Sequence, residues 1–204
     1  MWPEHDKTLE LLDQVRGGDD DAVNVLIDRH RNALRHLVRM RLDRKIQRRV
    51  DVSDVVQDVL IEANRRLKTY LENPVMPFHL WIRHIARDRI IDAHRRHRGS
   101  AKRSVDREQA MVIPGGFGKS SIILAAQLVD SEKTPAARTM EKELARRVEE
   151  AISDLDDVDA EVIVMRHYEQ LTNQEIAQAL ELTEPAASMR YLRAVRRLRE
   201  LMLQ

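Results

Sequence analysis

The fold is decided by residues 172–199, TNQEIAQALELTEPAASMRYLRAVRRLR, which predict two helices joined by a tight turn. Thr172 and Glu175 have the spacing of a capping box at the start of the first helix. Thr183 can cap the second helix, whose first turn tolerates Pro185. That second helix carries five arginines, at positions 190, 193, 196, 197 and 199. This pattern is typical of a DNA-binding helix-turn-helix, although an ordinary helical hairpin with a solvated basic face has it too.

The composition indicates a helical protein without disulfides. The 204 residues allow one large or two small domains, and six Gly and six Pro provide few turns for a many-stranded fold. There are no cysteines, which excludes disulfides and thiolate metal sites. No apolar run approaches the roughly 20 residues that span a membrane, so we expect no membrane insertion. The N-terminal MWPEHDKTLE is too polar for a signal peptide, which predicts a cytoplasmic location.

Charge is segregated along the chain, although the formal net charge is only +1. Residues 28–103 hold 20 Lys and Arg against 9 Asp and Glu, whereas residues 130–170 hold 6 against 12. The extreme C-terminus is basic again. Two basic segments that flank an acidic one indicate two contacts with a polyanion, although two unrelated solvated faces would give the same counts.

The apolar pattern predicts an all-α fold with two helical domains joined by a flexible linker. The first domain is expected to contain helices at about 22–41, 51–70 and 78–98, and the linker a short helix at 121–129. The helical spacing places Val25, Trp81, Ile85, Ile90 and Ile91 in the core. We predict a leader at 1–21 with a short helix ending near Gly17, a first domain at 22–103, a linker at 104–140 and a helix-turn-helix domain at 141–204.

Three segments, in this order, resemble one protein family. Residues 51–67, DVSDVVQDVLIEANRRL, are similar to the acidic helix of bacterial RNA polymerase sigma factors. Residues 78–98, FHLWIRHIARDRIIDAHRRHR, are similar to their promoter-melting and −10 recognition helix, and the C-terminal hairpin to their −35 reader. The two-domain pattern resembles the small extracytoplasmic-function type. The resemblance implies a factor that is not an enzyme, has no cofactor, and directs core RNA polymerase to −10 and −35 promoter DNA.

The acidic helix at 51–67 is the expected contact with core RNA polymerase. In the family this helix grips the clamp helices of the largest polymerase subunit, and Asp54, Gln57 and Asp58 match that motif. Carboxylates repel DNA phosphate, so such a face suits a protein partner. Glu62 is expected to lie on the same outer face, where a merely solvated role is favoured for it. The family is commonly held inactive by an anti-sigma factor, which adds a further candidate partner.

The helix at 78–98 is the expected −10 contact. Its basic residues should lie outside an apolar stripe and supply phosphate contacts. The loop at 71–77 corresponds to the place where the family captures a flipped base, with Phe78 beside it. Asp88 stands where the family often has Asn and could accept from cytosine N4. The expected −10 residues are Phe78, Arg83, His84, Arg87, Asp88, Arg95 and Arg96.

The C-terminal hairpin is the expected −35 contact. Glu181 occupies the turn where the family commonly has Gly, so the turn must accept a residue with a Cβ. Ser188 and Met189 stand where Lys and Ser are frequent, and Leu192 is expected to be a packing residue. The expected −35 residues are Thr183, Glu184, Ala187, Ser188, Arg190, Tyr191 and Arg193.

Other functions have weaker support in the sequence. Residues 114–120, PGGFGKS, resemble a phosphate-binding loop, but Ile113 occupies the position of its first glycine and no buried strand precedes it. His94 and His97 have no adjacent acidic or thiol partner, which favours solvated residues over a metal site. A stand-alone helix-turn-helix regulator is the main alternative, but it needs neither the acidic 51–62 face nor the basic 78–98 helix.

Overall fold

The computed structural model describes residues 2–42, 44–97, 119–128 and 137–203. These residues form ten α-helices and no strand, in two compact units, Met1–Arg103 and Ser104–Gln204. An all-α architecture with two helical units is thereby confirmed. The helices are α1 (His5–Arg16), α2 (Asp20–Arg41), α3 (Arg44–Gln47), α4 (Val52–Glu72), α5 (Phe78–His97), α6 (Lys119–Leu128), α7 (Ala137–Ser153), α8 (Asp157–His167), α9 (Asn173–Ala179) and α10 (Glu184–Met202).

The first unit is built around α2 and α4. These helices pack against each other, α1 packs on α2, and α5 packs on both α2 and α4. Their shared core contains Leu26, Leu34, Val59, Leu80 and Ile82, all fully buried. The leader helix α1 belongs to this unit, because Leu11 and Leu12 are buried. Burial of such aliphatic side chains is the main stabilising contribution of a core.

Local capping chemistry sets the helix boundaries of the first unit. The short leader helix ends before Gly17 and Gly18, as predicted, and Gly18 adopts φ 89°, a conformation that glycine adopts without strain. Asp19 then caps α2 by accepting from the backbone N–H groups of Asp21 and Ala22. The predicted cap at Asp51 is confirmed, because its carboxylate accepts from the Ser53 N–H at 2.7 Å.

The core of α5 differs in part from the sequence prediction. Ile85 and Ile90 are buried as expected, but Ile91 is 36% exposed and Trp81 is half-buried. Val25 on α2 is also exposed rather than in the core. The helix α5 has apolar residues on several sides, so its sequence pattern did not decide which side faces inward.

The second unit is built around α7 and α10. The helix α6 packs on α7, and α10 contacts α7, α8 and α9. A buried hydrogen-bond network joins α6, α7 and the residue that follows α8: the Ser121 hydroxyl donates to Glu149 Oε1 at 2.8 Å and lies 3.2 Å from the Tyr168 hydroxyl. A second hydrogen bond joins α7 to α10, because Arg147 Nη2 donates to the Met202 carbonyl at 2.7 Å.

The linker prediction needs a correction at 119–128. This segment forms the helix α6, and Ser121, Leu124 and Ala125 are buried in the second unit. The expected short helix therefore exists, but its apolar residues pack against α7 instead of lying in a tether. The candidate phosphate-binding loop lies outside the described residues up to position 118, and its last two residues, Lys119 and Ser120, begin α6.

Candidate protein- and DNA-binding surfaces

One side of α4 forms an exposed acidic face. Asp54, Gln57 and Asp58 are exposed, and Ile61 is 60% exposed. The spacing of three and four residues places these side chains on one side of the helix. The opposite side carries Val55, Val56 and Val59 into the core. We name Asp54, Gln57, Asp58 and Ile61 the α4 face: two carboxylates and an amide with an apolar side chain at one end, which suits a protein partner better than DNA.

Glu62 does not belong to this face, in contrast to the sequence expectation. Its side chain is only 10% exposed and accepts from Arg65 Nη2 at 2.7 Å and from Arg66 Nε. Arg89 of α5 lies 3.8 Å away. Burial alone would raise the pKa of Glu62, but the hydrogen bonds from Arg65 and Arg66 outweigh it and hold this pKa below its ordinary value. Glu62 therefore forms ion pairs with arginines of both α4 and α5.

The outer side of α5 is basic. Arg87, Arg95 and Arg96 are exposed, together with Asp88 and Ile91, and His84 is half-buried. Positions 84, 87, 88, 91 and 95 recur at intervals of three and four residues, so they form one continuous strip on the helix, and Arg96 lies beside it. Cationic side chains on such a strip can pair with DNA phosphates, whereas Asp88 would repel them.

Arg83 departs from the expected −10 set. It is 1% exposed, because it lies three and seven residues before Ala86 and Ile90 on the side of α5 that faces the core. From this position its guanidinium does not present a DNA-facing surface. The sequence prediction that Arg83 lies outside the apolar stripe is therefore wrong.

Phe78 is also buried, in an aromatic cluster that is hydrogen-bonded to the 73–77 loop. Its ring lies 4.9 Å from His30 and 5.5 Å from Tyr70, in edge-to-face geometry, and 5.3 Å from Trp81. The Tyr70 hydroxyl donates to the Met76 carbonyl at 3.0 Å and so holds the loop to this cluster. Phe78 is 2% exposed, so in this structure it is a core residue rather than a base-stacking surface.

The helix-turn-helix forms as the capping residues predict. Thr172 and Glu175 make both hydrogen bonds of a capping box, Thr183 accepts from the Ala186 N–H, and Pro185 lies in the first turn of α10. The Leu182 N–H donates to the Ala177 carbonyl at 2.8 Å and closes the end of α9. Glu181 adopts φ 56° in this turn. The turn thus keeps the left-handed geometry that favours glycine, although a glutamate occupies it.

The faces of α10 differ from the expectation at two positions. Ala187 was expected near bases, but it is 0% exposed and packs inward with Ala194 and Leu198. Leu192 was expected to pack, but it is 56% exposed, and its neighbour Met189 is 66% exposed. Thr183 and Glu184 are exposed and Ser188 is half-buried at the start of the helix. The outer side of α10 therefore carries two apolar side chains as well as arginines.

An arginine clamp, formed by Asp159, Arg190 and Arg193, fixes α10 on α8. Asp159 Oδ1 lies 3.2 Å from Arg190 Nη1, and Asp159 Oδ2 lies 3.2 Å from Arg193 Nε. The Asp159 side chain is 5% exposed, whereas those of Arg190 and Arg193 are 33% and 62% exposed. Both arginines belong to the expected −35 set, and both also form ion pairs with the buried carboxylate of Asp159. No local pattern reveals this pairing, since the partners lie 31 and 34 residues apart.

Tyr191 makes a second contact between α10 and α8. Its hydroxyl lies 3.1 Å from His167 Nε2, and the two rings stack with centroids 5.7 Å apart. Burial lowers the pKa of His167, with the nearby positive charge of Arg166 acting in the same direction. The phenol ring of Tyr191, which was expected to face DNA bases, is therefore half-buried and held by α8.

Among the residues that the structure describes, no group of three or more His, Asp or Glu side chains is arranged to hold a metal ion. The helices that the structure describes include none that is both long and apolar enough to cross a membrane.

Comparison with known proteins identifies the parts of the chain that carry these surfaces. The family model Sigma-70 region 2 matches residues 26–100, and Sigma-70, region 4 matches residues 151–200. The ECF RNA polymerase sigma-E factor of Haemophilus influenzae is 25% identical over 184 residues, covering 90% of this chain and 89% of that protein. The solved structure of CnrH in complex with the cytosolic domain of CnrY is similar in fold, with a TM-score of 0.53, 24% identity and coverage of 92% of each chain. The two matched regions contain the α4 face, the strip on α5 and the helix-turn-helix.

Proposed function

Since the chain belongs to the sigma-70 family, whose regions 2 and 4 together match more than half of its length, we propose which surfaces carry its function. The chain is a sigma factor of the extracytoplasmic-function type that binds core RNA polymerase and directs promoter-specific transcription initiation. The family supplies promoter recognition and is not catalytic. One observation carries the proposal. The exposed acidic side chains lie on α4, whereas exposed basic side chains lie on α5 and α10, all within the two matched regions.

The α4 face is the contact with core polymerase. Ile61 supplies an apolar side chain at the C-terminal end of the face, at 60% exposure, and Asp54 and Asp58 add charges that would repel DNA. Protein interfaces commonly bury an apolar centre within a polar rim. The two carboxylates add orientation and a faster encounter with a basic surface on the partner.

DNA contacts lie on the outer sides of α5 and α10. For the −10 element the exposed strip offers Arg87, Asp88 and Arg95, with His84 at its N-terminal end and Arg96 beside it. For the −35 element the first turns of α10 offer Thr183, Glu184 and Ser188, and Arg193, although it belongs to the arginine clamp, is 62% exposed. The buried Phe78, Arg83 and Ala187 support these surfaces from inside, and Arg190 and Tyr191 contribute mainly by orienting α10.

An anti-sigma factor is a further partner in this proposal. The support comes from CnrH, which was solved in complex with the cytosolic domain of CnrY and shares the fold of this chain. The proposed place of action is the cytoplasm, because the polymerase and its promoter DNA are found there.

The polymerase contact can be tested with a double charge reversal, Asp54→Lys with Asp58→Lys. The matched control is Asp6→Lys with Glu10→Lys, because both pairs are exposed, four residues apart and begin in or just after the first turn of a helix. We expect at least a tenfold loss of affinity for core polymerase in the α4 variant, with native helicity, and near-native affinity in the control. Equal affinities in both variants would show that the α4 face is not the contact.

A further inference from the structure

Two large apolar side chains stand exposed on the outer side of α10. Met189 is 66% and Leu192 is 56% exposed. Because they are three residues apart, they are neighbours on the helix surface. At 3.6 residues per turn this side lies away from the buried stripe of Ala187, Ala194 and Leu198. Neither side chain contributes to the core, so their apolar surface is available to another molecule.

The surroundings of this pair favour DNA as that molecule. Arg193 and Arg196 are exposed on the same outer side, where their charges complement phosphates. Met189 and Leu192 lie in the first half of α10, a helix that begins at Glu184. In helix-turn-helix complexes, the N-terminal part of the second helix reaches the base edges in the major groove.

Among the groups that bases present in the major groove, the apolar one is the C5-methyl of thymine. We propose that Met189 and Leu192 contact thymine methyl groups and give the chain a thymine preference within its −35 element. The inference rests on the proposed −35 role of α10. Each methyl that leaves water against an apolar side chain strengthens binding by about fourfold. Because no phosphate is neutralised by these contacts, they change the base preference and not the salt dependence.

The test uses holoenzyme assembled from the full chain and core polymerase. Promoter fragments with a randomised upstream element are first selected by binding. Each thymine of the selected element is then replaced by deoxyuridine, which removes only the C5-methyl, and affinities are compared by competition. The variants are Met189→Ala and Leu192→Ala. The control is Leu203→Ala, which truncates a side chain that is 85% exposed beyond the end of α10.

We expect one or two thymines whose replacement costs wild-type holoenzyme about fourfold in affinity. That cost should fall to near onefold in Met189→Ala or Leu192→Ala, remain in Leu203→Ala, and leave the salt dependence unchanged in all of them. Two outcomes would overturn the contact with thymine methyl groups: an element is selected but its affinity does not change with deoxyuridine, or both variants lose as much affinity as the wild type. The exposed pair would then be assigned to a protein partner. If no upstream element is selected at all, the proposed −35 role of α10 fails as well.

Discussion

The arginine clamp predicts a measurable loss of stability in Asp159→Ala. Removing one partner of a fully buried ion pair costs about 3–5 kcal/mol, while exposed pairs contribute about 0–1 kcal/mol. The clamp lies between these limits, because the Asp159 side chain is 5% exposed but its two arginine partners are 33% and 62% exposed. After the substitution both guanidinium groups can regain water. We therefore expect the free energy of unfolding of the second unit to fall by about 1–2 kcal/mol.

Urea unfolding of the full chain provides the assay. At an m-value of about 2 kcal/mol/M, which is typical of small proteins in urea, this loss lowers the midpoint by about 0.5–1 M. Both tryptophans, Trp2 and Trp81, lie in the first unit, so their fluorescence follows that unit while far-UV circular dichroism follows both. The shift should appear in the circular dichroism. Asp157→Ala is the control, since it removes an exposed carboxylate from the same first turn of α8. Equal midpoints for Asp159→Ala and Asp157→Ala would refute a stabilising clamp.

Three further substitutions test other parts of the structure. Burial lowers the pKa of His30 to about 4. The pKa of this imidazole in the unfolded chain is about 6.5. The contribution of neutral His30 to the free energy of unfolding is therefore complete above about pH 6.5 and is lost between about pH 6.5 and 4, by up to about 3 kcal/mol. His30→Leu should thus show a smaller fall of the urea midpoint from pH 7 to pH 4.5, and an equal fall would contradict the neutral buried imidazole. Glu181→Gly should stabilise the chain by about 0.5–1 kcal/mol, because it relieves a φ of 56°; a lower urea midpoint would argue against that strain. Ser121→Ala should cost about 1–3 kcal/mol, because Glu149 loses a buried hydrogen-bond donor, and should hasten proteolysis within 119–128. A cleavage rate equal to that of the native chain would show that this bond does not hold α6.

Local chemistry explains why much of the fold could be predicted. The caps at Asp51, Thr172 and Thr183 depend on hydrogen bonds that span two or three residues, and all three are present in the structure. The exposed side of α4 follows from the spacing of its valines. Such features depend on neighbouring residues, which a single sequence displays directly.

Other features depend on which side of a helix meets its neighbour. Arg83 was expected outside the apolar stripe of α5, yet the packing of this helix turns it inward. Met189 and Leu192 could have been recognised as exposed, because they lie off the spacing of Ala187, Ala194 and Leu198. The arginine clamp has no sequence signal, since its partners come from different helices. For the same reason, the packing of α6 against α7 was not apparent from its apolar residues alone.

The most direct test of the central assignment is transcription by core RNA polymerase freed of other sigma factors. The full chain would be added to the polymerase with genomic DNA of the source organism, and the 5′ ends of the run-off transcripts would be sequenced. We predict new start sites that share two upstream elements at a constant separation. The Asp54→Lys, Asp58→Lys variant should lose these starts, and Asp6→Lys, Glu10→Lys should retain them. Start sites that are identical with and without the chain would contradict its assignment as a sigma factor.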